Sequence, residues 1–450
     1  MTGQTDTDIA ALRNIAYGYS LRDNLTSAGD LLDPAQDVSY SYDARQMLDG
    51  STGPWGALGY TYDPVGNRAT RSLTPPGGSA SLDTYTYELT SNGLDTIDNL
   101  ATGTRGYSYD GAGNTVGELR ALAVTDNWSY AYNNAGRLAS VSLNGGLQAE
   151  YVYDALGQQV SRTVGSGPSA VVTLSVHDLN GNRIAEHDDT GAVIREYIWL
   201  DGRPLAVVEG GQTYQLHWDQ IGRPVMATDA TGAMVWAASY LPFGGIDQVW
   251  VDTLAIEQNL RFPGQWFQAE TGLHQNWHRD YDPTTGRYLQ ADPLGLVDGP
   301  SVYGYARMSP VVWIDPWGLW RLPDYIAVNI NIAIPTPWTG TVVGWSGTAS
   351  VNRYGDVFWS PAGAGIGKTL TFVSASLTAN WLNQDCLPSQ TKLADFLSGN
   401  GFNAALGFWG GVSESYTLGS GFATGIGLVT PQGGISYNYS FHGGNIGVQW

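Results

Sequence analysis

The chain has 450 residues, and its composition excludes several classes of protein before any motif is considered. Glycine accounts for 59 residues, tyrosine for 26 and tryptophan for 17, whereas charged residues make up only 14%. Disorder requires high charge and few aromatic residues, so this composition instead favours short strands joined by tight turns. The net charge of −20 excludes a general phosphate-binding surface, and the single cysteine, Cys386, excludes a disulfide framework and a cysteine-based zinc site.

The first twenty residues carry no visible targeting signal. They contain neither a basic n-region nor an apolar h-region, and no apolar run in the chain reaches 18 residues. We therefore expect export by a route that does not use a Sec signal, and no transmembrane helix. Strands that cross a membrane escape this test, because alternation is their only signal.

A tandem repeat occupies residues 17–223. Short alternating stretches end in a tyrosine and an acidic residue or asparagine, and most are followed by a glycine turn such as DPVGNR at 63–68. Alternation is typical of half-buried strands, and Asp or Asn followed by x-x-Gly is hairpin-turn chemistry. The pattern predicts about nine stacked β-hairpins, in which we interpret the tyrosines and acids as structural. The clearest units are Tyr42-Asp43, Tyr62-Asp63, Tyr87-Glu88, Tyr109-Asp110, Tyr132-Asn133 and Tyr153-Asp154, and degenerate copies follow at His177-Asp178, Leu200-Asp201 and Trp218-Asp219.

Residues 260–319 carry a different set of motifs. Two DPxGL sequences begin at Asp292 and Asp315, with 18 residues between them. Because Asp-Pro starts turns and Gly ends them, one such motif alone would indicate only a turn. The motifs of this segment are RFPGQ (261–265), ETGLH (270–274), RDYDPTTGRYLQADPLGL (279–296), YGYA (303–306) and DPWGL (315–319).

On these residues the chain resembles Rhs and YD-repeat polymorphic toxins, together with Tc-toxin C subunits and teneurins. The Tyr-Asp units resemble YD repeats, and residues 260–319 resemble the Rhs-associated core domain, with Ser309-Pro310 standing where Asn-Pro is usual. The resemblance covers about residues 10–319 and implies a mainly β fold, a YD-repeat hairpin spiral that encloses a C-terminal segment. Nine units are few for this family, so we expect the closing end of a longer shell or a split-off cassette.

The resemblance also implies that the core domain is an intramolecular aspartic protease that cuts between Leu319 and Trp320. This chemistry needs two carboxylates that share a proton, one ionised to activate water and one protonated to polarise the carbonyl. Two assignments stay open. Asp280 with Asp292, beside Arg279, matches the Tc-subunit arrangement, whereas Asp292 with Asp315 matches the tandem DPxGL arrangement of Rhs effectors.

Two histidines of this segment have a spacing that could bind metal on a helix. His274 and His278 are four residues apart, and Glu270 lies upstream. Gly272 and the surrounding aromatic residues do not favour a helix, so we interpret both histidines as structural. We predict no metal and no cofactor.

The composition changes at residue 320. Residues 320–450 hold four bases and five acids, which leaves 17 bases and 36 acids for residues 1–319. About eight alternating stretches predict strands with one apolar face and one face of Gly, Ser, Thr and Asn, and a short helix is predicted at 390–398 with Ser389 as its N-cap. This pattern suits a small soluble barrel or sandwich, or a membrane barrel. We therefore divide the chain into a YD-repeat shell segment (1–259), a core domain (260–319) and a C-terminal toxin domain (320–450).

Enzymatic signals in this tail are weak. GAGIGKT (363–369) has Ala362 where a phosphate-binding loop requires glycine, and Cys386 has no spaced histidine partner. The tail also resembles a type 22 polymorphic-toxin module at NRYGDVF (352–358), TANWLNQ (378–384), LADFLSG (393–399) and TPQGGISYNYS (430–440), which implies no mechanism. The candidate acid–base and cationic residues, which form no visible constellation, are Asp356, Glu414, Lys368, Arg353 and His442.

The resemblance therefore predicts the C-terminal portion of an Rhs-type toxin, delivered to target cells, whose shell sequesters the tail until the core severs it. Three hypotheses stand for the tail, which we expect to act on bacteria or on a host: membrane permeabilisation, a nuclease or other enzyme, or a non-catalytic binding module. The expected partners are a cognate immunity protein, a secretion apparatus or an upstream shell segment, and a target-cell membrane. Because the tail is nearly neutral, nucleic acid is not excluded as its target.

Overall fold

The computed structural model describes residues 12–121, 125–200, 202–249, 256–296 and 300–319, together with eight strands between residues 325 and 445. The chain divides into two compact units, Met1–Trp320 and Arg321–Trp450. Apart from 3-10 turns such as Pro34–Gln36, Gly167–Ser169 and Ala306–Met308, the regular structure of these residues is β-strand, which confirms the predicted mainly β fold. None of the described helices is long and apolar enough to cross a membrane.

In the described part of the first unit, 22 antiparallel strands form one sheet in which each strand pairs with the strands before and after it. This meander follows from the repeat, because each hairpin turn returns the chain beside the strand it has just left. The strands are β1 (Ile15–Tyr19), β2 (Leu25–Asp30), β3 (Val38–Tyr42), β4 (Leu48–Gly53), β5 (Gly56–Tyr62), β6 (Arg68–Thr74), β7 (Ser81–Tyr87), β8 (Leu94–Asn99), β9 (Gly103–Tyr109), β10 (Thr115–Ala121), β11 (Thr125–Tyr132), β12 (Leu138–Leu143), β13 (Gly146–Tyr153), β14 (Gln159–Val164), β15 (Val171–His177), β16 (Arg183–His187), β17 (Val193–Leu200), β18 (Arg203–Glu209), β19 (Gln212–Trp218), β20 (Pro224–Thr228), β21 (Met234–Tyr240) and β22 (Ile246–Val249).

Each Tyr-Asp unit closes one hairpin and ties it to the preceding one. In the repeat Tyr62-Asp63, Oδ1 of Asp63 accepts the N–H groups of Val65 at 3.0 Å and Asn67 at 2.8 Å. The Tyr62 hydroxyl donates to the carbonyl of Leu48, the residue that opens strand β4 just after the previous turn, at 2.6 Å. The tyrosines and acids therefore have the structural role that their repetition suggested. The same hydroxyl contact is made by Tyr42, Tyr87, Tyr109, Tyr132 and Tyr153.

We expect Tyr132→Phe to lower the free energy of unfolding of the shell by about 1–2 kcal/mol, because the carbonyl of Thr115 loses the donor that lies 2.8 Å away. Urea unfolding followed by tryptophan fluorescence measures this change. Tyr19, whose side chain is 53% exposed, provides the matched control, and Tyr19→Phe should change the free energy by less than about 0.5 kcal/mol. Equal unfolding free energies for the wild type and Tyr132→Phe would contradict the role of this hydroxyl.

The described residues between 256 and 319 pack against this sheet within the same unit and form a small sheet of their own, with strands β23 (Trp266–Gln268), β24 (Leu273–Asn276), β25 (Arg279–Asp282) and β26 (Arg287–Tyr288). Arg287 donates to Asn67 of the shell at 2.9 Å, and the Tyr303 hydroxyl donates to the carbonyl of Gly113 at 2.8 Å. Arg287 lies in β26, and the carbonyl of Tyr303 accepts the N–H of Tyr288 in the same strand, so these contacts hold β26 in place. Aromatic side chains fill the space between the core segments, namely Phe262, Tyr281, Tyr288 and Tyr305.

The second unit forms a closed antiparallel barrel with the strand order β27-β28-β29-β34-β31-β32-β33-β30. The segment GAGIGKT lies within strand β29 and not in a loop before a helix. The predicted helix at 390–398, its cap Ser389, and Cys386 lie outside the described residues. The strands are β27 (Tyr325–Pro335), β28 (Val342–Asn352), β29 (Asp356–Thr369), β30 (Val373–Leu382), β31 (Asn400–Gly407), β32 (Gly411–Thr417), β33 (Gly421–Val429) and β34 (Gln432–Asn445).

The register of the barrel gathers apolar residues on one face of the sheet. Ile332 pairs with Trp345 of β28 on one side and with Val373 of β30 on the other. Similar cross-strand pairs of apolar residues follow around the closed barrel. Ile366 and Ile435 form another such pair. The opposite face carries mainly Gly, Ser, Thr and Asn, so the two-faced pattern of the sequence is preserved around the whole barrel.

Candidate active site

Strand β25 places Arg279 and Asp280 on opposite faces of the small sheet, because successive side chains of a strand alternate. The guanidinium of Arg279 lies over the ring of Tyr288, 3.7 Å from its centroid, and the residue is only 2% exposed. Its position is fixed by this stacking and by a hydrogen bond of 3.2 Å to the carbonyl of Val302.

One nitrogen of Arg279 contacts two carboxylates. Its Nη2 lies 2.9 Å from Oδ2 of Asp292 and 3.3 Å from Oδ2 of Asp315. Both acids are buried, Asp292 at 8% and Asp315 at 1% exposure. Since a single nitrogen touches both oxygens, the aspartates of the two DPxGL motifs are close neighbours in a site shielded from water.

The first DPxGL motif forms a turn that fixes the Asp292 carboxylate. The carbonyl of Asp292 accepts the N–H of Gly295 at 2.9 Å, and its Oδ1 accepts the N–H of Leu294 at 2.8 Å. Gly295 has a positive φ of 73°, a conformation that glycine adopts without strain. The turn chemistry seen in the sequence is therefore present, and it leaves Oδ2 for the contact with Arg279.

The second motif forms a wider turn that holds the segment before the predicted cut. Oδ1 of Asp315 accepts the N–H of Leu319 at 2.9 Å, while Nε of Arg279 donates to the carbonyl of Gly318 at 2.6 Å. Leu319 is 6% exposed, and Trp320 lies outside the described residues. The peptide group between Gly318 and Leu319 is thus held at both ends by the groups of the site.

The charge balance of this cluster favours a shared proton. Two ionised carboxylates beside one guanidinium would leave a net negative charge in a buried site, which is costly. Burial raises the pKa of Asp292 and the nearby Asp315 raises it further, although Arg279 and the N–H of Leu294 oppose the shift. The surroundings of Asp292 therefore favour its protonated form.

Asp280 lies apart from this cluster. Its Oδ2 accepts a hydrogen bond of 2.7 Å from Nε2 of Gln290, and its own N–H donates to Oε1 of the same residue at 2.7 Å. Burial raises the pKa of Asp280 to about 6, with Gln290 and Arg137 acting in the opposite direction. Of the two predicted pairs, the structure brings together Asp292 and Asp315, and it places Asp280 on the other face of the strand.

The two histidines have different surroundings: His278 is partly exposed, with its Nδ1 3.0 Å from the carbonyl oxygen of Trp317, and His274 is part of the packing. His274 is 1% exposed, its Nδ1 lies 2.7 Å from Oε1 of Gln265, and burial lowers its pKa well below the usual value. Glu270 instead pairs with Arg162 of the shell, so it does not face the histidines. Across the residues that the structure describes, no three metal-ligating side chains cluster.

Two further residues belong to the site, and the sequence assigned a role to neither, although Tyr288 lies within the motif at 279–296. The hydroxyl of Tyr288 donates to Oδ2 of Asp315 at 2.7 Å. Nδ2 of Asn276 donates to the Tyr288 hydroxyl at 2.7 Å and to the carbonyl of Asp315 at 2.8 Å. These contacts join residues up to 39 positions apart, so no local pattern could have revealed them.

Comparison with known proteins agrees with this architecture. Residues 18–298 match the family described as teneurin YD-shell. The chain belongs to the teneurin YD-shell family. A crystal structure of TcdB2-TccC3-Cdc42 has the same fold over 68% of this chain and 17% of that one, with a TM-score of 0.56 and 21% identity.

Curated relatives of this YD-shell protein include toxins and nucleases. It is 27% identical to double-stranded DNA deaminase toxin A of Burkholderia cenocepacia, over 62% of this chain and 22% of that protein. It is 28% identical to probable deoxyribonuclease RhsA of Dickeya dadantii (64% and 21%) and to toxin protein Tse5 of Pseudomonas aeruginosa (47% and 18%). The chain thus spans about a fifth of the length of these relatives. The predicted kinship with Rhs and YD-repeat toxins is confirmed, and the likeness of the tail to a type 22 module stays a prediction.

Proposed function

We propose that the core domain cuts its own chain between Leu319 and Trp320 and so separates the tail from the shell. One observation carries the proposal: Asp292 and Asp315 share the Nη2 of Arg279, and Asp315 also holds the N–H of Leu319. A pair of buried carboxylates around one proton is the arrangement that aspartic proteases use. The residue before the predicted cut is already tied to that pair.

The roles of the two acids follow from their surroundings. Asp315 accepts hydrogen bonds from Leu319, Tyr288 and Arg279, and such donors stabilise an ionised carboxylate. It takes a proton from water, whose oxygen bonds to the carbonyl carbon of Leu319, while protonated Asp292 donates to the carbonyl oxygen. The C–N bond then breaks as the nitrogen of Trp320 receives the proton held by Asp315. One of the two hydroxyl groups on the Leu319 carbon returns its proton to Asp292, which leaves a carboxyl group on Leu319 and restores both aspartates.

The kinetic order of the reaction tests whether the cut is intramolecular. The full chain is synthesised without cells, diluted over about a hundredfold range, and followed by gel electrophoresis. We expect one first-order rate constant at every dilution. A rate that rises with concentration, or that disappears when protease inhibitors without action on aspartic proteases are added, would indicate cleavage by another molecule.

For the tail we propose membrane permeabilisation, which the closed eight-stranded barrel supports. A water-facing barrel surface usually has roughly a quarter or more of its residues charged. In the described strands the face of Gly, Ser, Thr and Asn carries Asp356 as its charged residue, whereas Lys368 and Glu414 lie on the apolar face. If the apolar face turns toward lipid and the small polar residues line the barrel interior, Lys368 and Glu414 are the two charges that the described strands place toward lipid, far fewer than a water-facing surface carries.

Expression of residues 320–450 in bacteria separates the hypotheses for the tail. For the wild-type tail we expect rapid loss of membrane potential, measured with a potential-sensitive dye. Ile330→Lys on the apolar face should destabilise the barrel in the bilayer by about 2–4 kcal/mol and weaken this effect. Asn331→Lys, its neighbour on the other face, is the matched control and should keep the effect. Degraded or deaminated nucleic acid with intact membranes would favour an enzyme, as the names of the relatives suggest, and healthy growth would favour a binding module.

The toxin relatives also bear on the partners of the chain. An active tail would endanger the cell that makes it, so we propose that a cognate immunity protein neutralises it there. A secretion apparatus or an upstream shell segment would carry the protein to the target cell. Co-purification with the product of a neighbouring gene tests the first of these partners.

A further inference from the structure

We propose that Tyr288 is a positioning residue for the cleavage, and that its hydroxyl, held by Asn276, makes Asp315 rather than Asp292 the ionised member of the pair. This inference rests on the proposed cleavage reaction. It assigns a role to a side chain that belongs to neither DPxGL motif and that enters the site from strand β26.

The hydrogen bond from Tyr288 distinguishes the surroundings of the two carboxylates. Both carboxylates contact Nη2 of Arg279, but Asp292 does so at 2.9 Å and Asp315 at 3.3 Å, so the guanidinium alone would favour ionised Asp292. The Tyr288 hydroxyl donates to Oδ2 of Asp315 at 2.7 Å, a shorter contact than that with Arg279. A hydrogen bond to the charged form stabilises that form, so Tyr288 reverses the preference.

Asn276 orients the hydroxyl group of Tyr288. Its Nδ2 donates to the Tyr288 hydroxyl at 2.7 Å, so the hydroxyl proton is left to point toward Asp315. The same nitrogen donates to the main-chain carbonyl of Asp315 at 2.8 Å, which fixes the other end of that residue. Asn276 is fully buried and Tyr288 is 3% exposed, so water does not compete freely for these bonds.

Among the described residues, few titratable groups lie around Asp315. The titratable and charged side chains that face it are Arg279, Asp292, Tyr288 and Tyr305. Burial raises the pKa of both tyrosines well above 10, and the negative charge of Asp315 adds to the shift. Tyr288 therefore keeps its proton, and remains a donor, at any pH at which the protein would cleave.

Tyr288→Phe removes the hydroxyl and keeps the ring beneath Arg279. We expect the first-order rate of cleavage to fall about 10- to 100-fold, the range expected when a charged group loses one hydrogen bond. The acid limb of the pH–rate profile should move upward by about one pH unit, because the base is less well stabilised in its ionised form. Asn276→Ala, which leaves the hydroxyl in place but undirected, should produce a smaller shift in the same direction.

The matched control is Tyr281→Phe. Tyr281 is fully buried in the adjacent strand, and its hydroxyl donates to the carbonyl of Phe243 at 2.7 Å, not to a carboxylate. We expect its pH–rate profile to coincide with that of the wild type. A misfolded fraction would lower the amplitude of cleavage without moving the acid limb, so the profile stays informative if either variant folds less well.

The outcomes separate this inference from the reaction on which it rests. A wild-type rate and profile for Tyr288→Phe, with cleavage abolished by Asp292→Asn, would overturn the role of Tyr288 and leave the cleavage intact. Absence of cleavage in the wild type, or full cleavage in both Asp292→Asn and Asp315→Asn, would overturn the reaction and this inference with it. An acid limb that is shifted in Tyr288→Phe, shifted less in Asn276→Ala and unchanged in Tyr281→Phe would support both.

Discussion

Asp292→Asn and Asp315→Asn should each slow the release of the tail by at least about 10³-fold, the usual cost of removing one member of a catalytic unit. Asparagine keeps the size and the hydrogen bonds of the turn but can neither give nor take the proton. Both carboxylates contact Nη2 of Arg279, so the cleavage rate should fall by a similar factor in the two variants. Quantitative gel electrophoresis of freshly synthesised chains measures the effect.

Asp280→Asn is the matched control for these variants. Asp280 is also buried and only one residue from Arg279, but its carboxylate faces Gln290 and the shell. We expect its cleavage to remain within about threefold of the wild type, as for other residues outside the reacting groups. Loss of cleavage in Asp280→Asn, with normal cleavage in Asp315→Asn, would contradict this assignment and select the pair Asp280 and Asp292.

Gly318→Ala should reduce cleavage by about 10²-fold, because it displaces the segment before the cut and small displacements of reacting groups are costly. Gly318 has a positive φ of 63°, and a Cβ added to it would overlap the carbonyl oxygen of Asn276 and lie 3.1 Å from the main-chain nitrogen of Arg279. Neither backbone atom can move without shifting β24 or β25. Leu319 must therefore move away from Asp315.

Gly295→Ala in the first motif separates this crowding from backbone strain. Gly295 also has a positive φ, but among the described residues other than its two chain neighbours no atom lies within 4 Å of the position that its Cβ would take. The variant should lose about 1 kcal/mol of stability through strain and keep most of its cleavage rate. Equal loss in the two alanine variants would mean that the turn conformation matters and that the close approach at Gly318 does not.

The repeat could be predicted from the sequence because its determinants are local. Alternating residues and the turn DPVGNR at 63–68 specify a strand and a hairpin within a few positions of each other. The link between repeats could not be predicted, because the hydroxyl of Tyr62 reaches Leu48 only after the strands have paired. Repetition showed that these tyrosines matter, and the structure shows what each hydroxyl contacts.

Part of the candidate site could be predicted from the sequence. The two DPxGL motifs identified Asp292 and Asp315, and the neighbouring RDYDP motif equally suggested Asp280. The choice between the pairs depends on which face of β25 each side chain occupies and on the contact of both motifs with Arg279, which are properties of the folded chain. The role of Tyr288 depends on long-range packing in the same way.

Mass spectrometry and N-terminal sequencing of the purified chain show whether the protein cuts itself after Leu319. We expect two fragments, one ending at Leu319 and one beginning at Trp320, and a single intact chain for Asp292→Asn. An intact wild-type chain, or a C-terminal fragment that begins at another residue, would contradict the proposed cleavage.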